Sequence, residues 1–425
     1  MAGRASGTRW LRPLAVLAGV VVCGLLTAAC STDGPAMLPV TSALPSQSET
    51  APATRGQQVK VALLVPLSAQ GHPGLIAKSL KQAAELALFE RDNPSLQLVV
   101  KDDRGTPEGA RAAADEAIRG GAQLILGPVY AKSAAAVAPV ARQAGVAVVS
   151  FSTDRQVAGS GVYLLSFQVA PEVERVVGYA VSRGKRRFAA LIPDDAFGKV
   201  ASAAFSDAVA RAGGTIIAVE TYPFSPNGVL EPMRKVSAVI QAGQAEGAPI
   251  DALFLPGGQE HVELIARLLP QAEIDTQKVK LIGTGGMDYP NAGRDARLVG
   301  AWYPAPDPRG WSDFSQKYAK TYGQSPPRIA ALAYDAVGMA IALSAGAEGR
   351  YGPAQLTRAA GFTGVDGAFR LLPDGGTDRP LAILEVQKFG AGVVDPAPSL
   401  GAAPQPGVTG AGAFGFLPRS LLNLN

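Results

Sequence analysis

Two adjacent acid pairs, Asp102-Asp103 and Asp194-Asp195, are the side chains in this sequence best suited to carboxylate chemistry. Two carboxylates can cleave a glycosidic bond as acid and base only if both face the same substrate. Neighbours in an extended strand point to opposite faces. In each pair one acid is therefore expected to cap a helix or face solvent, and only Asp194 is expected near a cleft. The two histidines, His72 and His261, have no cysteine beside them and are expected at the surface. With no G-x-S-x-G elbow and no clustered metal ligands, the residue types imply no enzyme, no metal and no cofactor.

Binding chemistry is better represented. The stretch Ser150-Phe151-Ser152-Thr153-Asp154 follows an apolar run and offers hydroxyls and backbone amides that suit a carboxylate or another polar group. The same hydroxyls commonly satisfy turn amides instead. Tyr130 and Phe197 offer flat apolar walls, or equally packed core aromatics.

The first thirty residues differ in kind from the rest. Arg4, Arg9 and Arg12 lead into an apolar run of about 13 residues, 14–26, and then Thr27-Ala28-Ala29-Cys30. That run is shorter than the roughly 20 residues a spanning helix needs, so 1–29 reads as a removable signal peptide. Two small residues before Cys30 resemble the lipobox of bacterial lipoproteins, with Leu26 four positions before the cysteine. Of the chain's two cysteines Cys23 would leave with the signal, so Cys30 would be the sole remaining thiol and acylation (palmitate) would protect it. Removing the three arginines leaves 36 basic against 35 acidic side chains. A near-neutral mature surface gives no electrostatic case for nucleic acid.

Positioning these residues requires a scaffold, and the apolar pattern supplies one. Residues 30–56, rich in Ser, Thr, Pro and Ala, read as a polar tether after the lipidated cysteine. Its 26 residues beyond Cys30, fully extended, would reach roughly 90 Å. Residues 392–425 read as a Pro/Gly-rich tail. Between them short apolar runs alternate with amphipathic stretches, beginning with the strand at 59–67 and a helix whose Ile76, Leu80, Ala84, Ala87 and Leu88 share one face. Thr106-Pro107 marks a capped helix start. Strands follow at 96–100, QLILG, 146–150, RFAALIP, TIIAVETY, DALFLP and KLIGT, with helices between. Such a rhythm indicates parallel sheets covered on both faces, and roughly 335 residues exceed what one core usually serves. The fold class is α/β in two lobes.

In their order and spacing, ALLVPLSAQG, LILGPVYAKSAAAVAPVARQAGVAVVSFST, ALIPDDAFG, ALFLPGG, LIGTGG and AYDAVGMA, followed by GFTGVDGAFRLLPDGG and PLAILEV, resemble type I periplasmic binding proteins of the leucine/isoleucine/valine-binding class. The resemblance implies two lobes joined by a three-crossing hinge, 57–170 plus 300–361 and 171–299 plus 362–391. It also implies a solute site at the carboxyl ends of the strands, where helix amides are free. In the first lobe the site would draw on Ser68, Gln70, Tyr130, Ala131, Ser133, Ser152, Thr153 and Asp154, and in the second on Asp194, Phe197, Gln259 and Asp288. Amino-acid-binding members place a hydroxyl where this chain has Ala131, with Ser133 two residues on. They place an ammonium-binding acid in the loop that here reads Gly283-Thr284-Gly285-Gly286, and an aromatic near Gln259.

Two roles follow from the resemblance. One is the receptor of an ABC importer, passing a small polar solute, such as an amino acid, to a permease. The other is that of the penicillin-binding protein activators, envelope lipoproteins of this fold that contact a peptidoglycan synthase. Ser31 after the cysteine, in place of Asp, resembles the address for the outer membrane, with the domain facing the periplasm. The activators' N-terminal helical repeats have no room before the first strand.

Overall fold

The computed structural model describes residues 58–93, 95–346 and 349–401. The expected signal peptide and tether, 1–56 with Cys30, and the expected tail beyond Gly401 lie outside the described residues.

The chain opens with β1 (Val59–Val65), α1 (His72–Arg91), β2 (Leu96–Asp102), α2 (Pro107–Arg119), β3 (Ala122–Leu126), α3 (Ala131–Gln143), β4 (Ala147–Ser150) and β5 (Val162–Leu164). These strands form one five-stranded parallel sheet in the order β2-β1-β3-β4-β5. Strand pleating explains why both faces need covering. Val61, Leu63 and Val65 pack toward α1, while Ala62 and Leu64 on the other face pack against α2 and α3. Thr106 caps α2 as its sequence foretells, its hydroxyl accepting from the Gly109 N–H at 3.0 Å.

The next series is α4 (Val169–Ser182), β6 (Arg187–Pro193), α5 (Ala196–Arg211), β7 (Thr215–Tyr222), α6 (Pro226–Ala245), β8 (Ala252–Leu255), α7 (Gln259–Leu268), β9 (Lys280–Gly283) and β10 (Trp302–Ala305). Then come α8 (Pro308–Tyr322), α9 (Ala330–Ser344), α10 (Pro353–Leu356), β11 (Phe362–Gly364), β12 (Gly367–Leu371), β13 (Thr377–Asp378), β14 (Ala382–Gln387) and β15 (Gly390–Asp395). The second sheet runs β15-β14-β10-β9-β8-β6-β7 and is parallel except that β14 lies antiparallel to both β10 and β15. Ala189 and Leu191 face α6 and α7, and Phe188, Ala190 and Ile192 face α4 and α5.

The changeovers between the two bodies differ from those expected. Residues 302–305 hydrogen-bond into the second sheet, so the chain leaves that sheet near 306 and not at 300. Phe362, Phe369 and Leu371 pack in the first core with Phe314, Tyr318 and α9, so the return lies near 379 and not at 361. The short sheet β11-β12-β13 thus seals the first body. At the C-terminus the folded part extends beyond 391: β15 pairs as far as Asp395, whose carboxylate meets Arg175 at 2.5 Å. Gly and Ala in β15 weakened its strand signal, and β14 overrides that local preference.

The last changeover is anchored by charge. Asp335 of α9 is buried, accepts the Val365 N–H at 2.6 Å and faces Arg379 Nη2 at 3.3 Å. Burial pushes its carboxyl up to about 6, against the lowering pull of Arg379 and of the Val365 N–H. Removing one member of such a pair leaves the other charge buried and uncompensated. Asp335→Ala is therefore expected to destabilise the protein by about 3–5 kcal/mol in urea unfolding at neutral pH. A loss below about 1 kcal/mol, the range of an exposed ion pair, would show that the pair does not anchor the crossing.

Candidate functional site

Topology locates the site before any side chain does. In the first sheet β1 has β2 on one side and β3 on the other, and in the second β6 lies between β7 and β8. At each such switch point successive loops turn in opposite directions and leave a crevice at the strands' carboxyl ends. The loops there are 66–70 and 127–130 in the first body, and 194–197 and 256–259 in the second. The first linker, 165–168, leaves the carboxyl end of β5, and the second, 306–307, leaves that of β10. Both crevices therefore open toward the linkers, and so toward each other.

On the first body, Ser68 and Gln70 are exposed after β1, and the Asp102 carboxylate accepts the Ser68 N–H at 3.2 Å. Gly127 makes the next turn possible: its φ is +85° and a Cβ there would lie 2.2 Å from the Leu64 carbonyl. Tyr130 is 38% exposed, and its ring edge lies against Gly105, so it is not a packed core aromatic. Ala131 is half-buried at the start of α3. Ser133 is fully buried with its hydroxyl unpartnered, so it does not stand at the surface beside Ala131.

The hydroxyl-rich loop is bonded more internally than its composition suggests. Ser150 Oγ donates to the Pro128 carbonyl at 2.8 Å, and Ser152 Oγ accepts the Asp154 N–H at 3.1 Å. Ser152 is buried, while Thr153 and Asp154 are exposed, with Asp154 capping a short turn through the Gln156 N–H. Thr153 is thus the hydroxyl of this loop that faces solvent. The Ser166 hydroxyl donates to the Ser152 carbonyl at 2.8 Å and receives the Gln168 amide at 2.6 Å, which joins the loop to the first linker.

On the second body Asp195, not Asp194, caps α5, accepting the Gly198 N–H at 2.7 Å. Asp194 is left exposed, with Phe197 half-buried a turn later. Gln259 is exposed and donates to Glu263 at 2.8 Å. Asp288 is exposed, and one carboxylate oxygen accepts from the buried Tyr303 hydroxyl at 3.3 Å. His261 corrects the surface expectation: it is buried, its Nδ1 lies 3.0 Å from the Tyr222 hydroxyl, and Phe224 covers its ring at 4.3 Å. Its position on the core-facing side of α7, beside Val262 and Ile265, decides this.

One polar residue at the strand ends escaped sequence reading. Glu172, in the first turn of α4, accepts the Gly285 N–H at 2.9 Å. It lines a small cavity of about 20 Å³, room for one water, together with Ser166, Gln168, Thr377 and Arg379. Burial pushes its carboxyl up to about 7. A larger hollow of about 530 Å³ lies between α7 and residues 289–297. It is built from the second body alone, so a molecule there would gain nothing from closure of the two bodies. Among the described residues no three His, Cys, Asp or Glu side chains group to hold a metal ion, and no helix is long and apolar enough to cross a membrane.

Two sheet-bearing lobes, three crossings and crevices that open toward each other define the type I periplasmic-binding fold. The chain belongs to the periplasmic binding protein family, whose sequence model matches residues 58–391. Solved structures share the fold. A branched-chain amino acid ABC transporter periplasmic ligand-binding protein from Burkholderia xenovorans LB400 is 18% identical, with TM-score 0.63 over 81% of this chain and 96% of that one. The isoleucine complex of the substrate-binding protein LivJ from Streptococcus pneumoniae is 20% identical, with TM-score 0.56 over 80% and 100%. A benzoate complex of an ABC transporter solute-binding protein from R. palustris is 16% identical, with TM-score 0.57 over 80% and 97%. An uncharacterized protein of Rickettsia prowazekii (strain Madrid E) is 19% identical over 235 residues, 55% of this chain, which spans 62% of that protein's length.

The buried acids at this end of the molecule set a pH dependence. Burial pushes Asp103 up to about 6, against a single N–H from Gly105 at 2.8 Å. Asp103, Asp335 and Glu172 all hold protons more tightly folded than unfolded, where carboxyls titrate near 4. Their contribution to stability is whole below about pH 4 and is lost as pH rises toward 7. Asp103→Asn keeps an acceptor for Gly105 but does not ionise. It is expected to flatten the fall in urea-unfolding free energy between pH 4 and 7, leaving the variant about 1–3 kcal/mol more stable than the parent above pH 7. Parallel curves would contradict this assignment.

Proposed function

We propose that this chain is an exported solute receptor, lipid-anchored at Cys30, that closes its two lobes over a small polar solute and delivers it to an ABC permease. The observation that carries this reading is the convergence of the strand-end loops of both lobes on the linkers. A molecule held there touches both lobes only when they close, so its binding energy favours the closed form. Thr153 with the neighbouring amides, Tyr130, Phe197 and Asp194 are the groups it would meet. Binding of isoleucine and of benzoate by two proteins of the same fold supports a carboxylate-bearing solute.

Ser31, beside the lipidated cysteine, favours a second reading in which the domain sits on the outer membrane and contacts a peptidoglycan synthase. Thermal unfolding of the full-length protein against a panel of amino acids and small carboxylates separates the two. A solute at a hundred times its Kd should add about 2.7 kcal/mol of stability. No response across the panel, together with crosslinking to a synthase in cells, would remove the transport reading. For the anchor, cells fed labelled palmitate should label the parent protein and not Cys30→Ala. Equal labelling of both would place the lipid elsewhere.

A further inference from the structure

The match to the family model stops at residue 391, short of the segment that leaves β15. That strand ends in the second lobe at Asp395, where Arg175 of α4 holds the Asp395 carboxylate at 2.5 Å and the Pro396 carbonyl at 3.2 Å. Five residues later the chain lies on the first lobe. A Cβ built on Gly361 would lie 2.5 Å from Leu400 Cδ2, and one built on Gly401 would lie 3.1 Å from Nη1 of Arg370 in β12. Gly361 leads into β11, whose Phe362 belongs to the first core, and its missing side chain leaves the seat that the half-buried Leu400 fills. Residues 396–401 thus make a fourth passage between the lobes. It starts beside the third, because the Arg175 that grips Asp395 also donates to the Leu381 carbonyl at 2.7 Å.

This passage resists stretching. Pro396 and Pro398 fix their own φ near −65° and keep Asp395 and Ala397 out of the helical region. Residues 396–399 are exposed and form neither helix nor turn. In polyproline geometry the five steps from 395 to 400 span about 15 Å, against a fully extended limit of about 17 Å. Only about 2 Å remains before an anchor must let go. Approach of the lobes meets no such limit, since an exposed segment can bow outward.

We propose that residues 396–401 are a strap that limits how far the lobes part in the solute-free protein while leaving them free to approach. The load runs from Arg175 and Asp395 on the second lobe to Leu400, seated on Gly361 of the first. Fewer wide-open forms are then populated, and less conformational free energy separates the free protein from a closed one. The restraint belongs to the protein without solute, so it stands apart from the receptor reading.

Pulsed dipolar spectroscopy on the solute-free protein tests this, with spin-labelled cysteines replacing the exposed Lys132 on the first lobe and Lys199 on the second. Three variants release the strap in different ways, and all keep β15 and the Arg175–Asp395 pair. Leu400→Lys sets a cation near Arg370 and empties the seat on Gly361. A chain ending at Asp395 removes the strap outright. Pro396→Gly with Pro398→Gly keeps both anchors and removes the stiffness. In each the distance distribution should broaden and its mean should lengthen by several ångströms relative to the parent. Distributions that superimpose on the parent's, or that move to shorter distances, overturn the inference. So does a shift in the shortened chain alone with Leu400→Lys unchanged, since the seat on Gly361 would then bear no load.

Discussion

The third crossing between the lobes depends on one buried charge pair. Asp335 holds Arg379 at 3.3 Å and the Val365 N–H at 2.6 Å, and so fixes the third crossing and the turn between β11 and β12 to the core helix α9. The pair is not cheap, since Nε and Nη1 of Arg379 find no acceptor. Two charges taken out of water rarely stabilise more than an apolar replacement would. What they confer is position: a guanidinium donates to its partner in few directions, so the crossing has one path out of the first lobe.

The second lobe grips the same crossing from the other side. Arg175 of α4 donates to the Leu381 carbonyl at 2.7 Å and pairs with Asp395 at the end of β15. The first crossing is tied back to the first lobe, with the Leu165 N–H on the Ser150 carbonyl and the Ser166 hydroxyl on that of Ser152. Linkers held at both ends and short between them restrict the lobes to few relative motions, which is what a hinge requires. In the proposed closure the solute loops ride on these tied segments, so solute contact and hinge position are mechanically one system.

Much of this was legible in the sequence because strands buried on both faces write themselves as unbroken apolar runs. The strands of both lobes stand where RFAALIP, DALFLP and the rest foretold, and Thr106-Pro107 marked the start of α2 from its cap alone. The misreadings share a cause in tertiary contact. His261 is polar by type but lies on the inner face of α7, and β15 is held by β14 and Arg175 despite its glycines. β11 and β12 return to the first lobe because Phe362, Phe369 and Leu371 find their core there. Glu172 was hidden for the same reason: its partner Gly285 lies 113 residues on, and no spacing in either segment announces the meeting.

In the proposed receptor solute binding and lobe closure are one event, and an inter-lobe distance reads it most directly. Spin labels on cysteines replacing the exposed Lys132 of α3 and Lys199 of α5, one on each lobe, report that distance by pulsed dipolar spectroscopy on the full chain. With a saturating solute from the thermal screen the distance distribution should narrow and move to shorter values. A solute that binds and leaves the distribution unchanged would contradict the account.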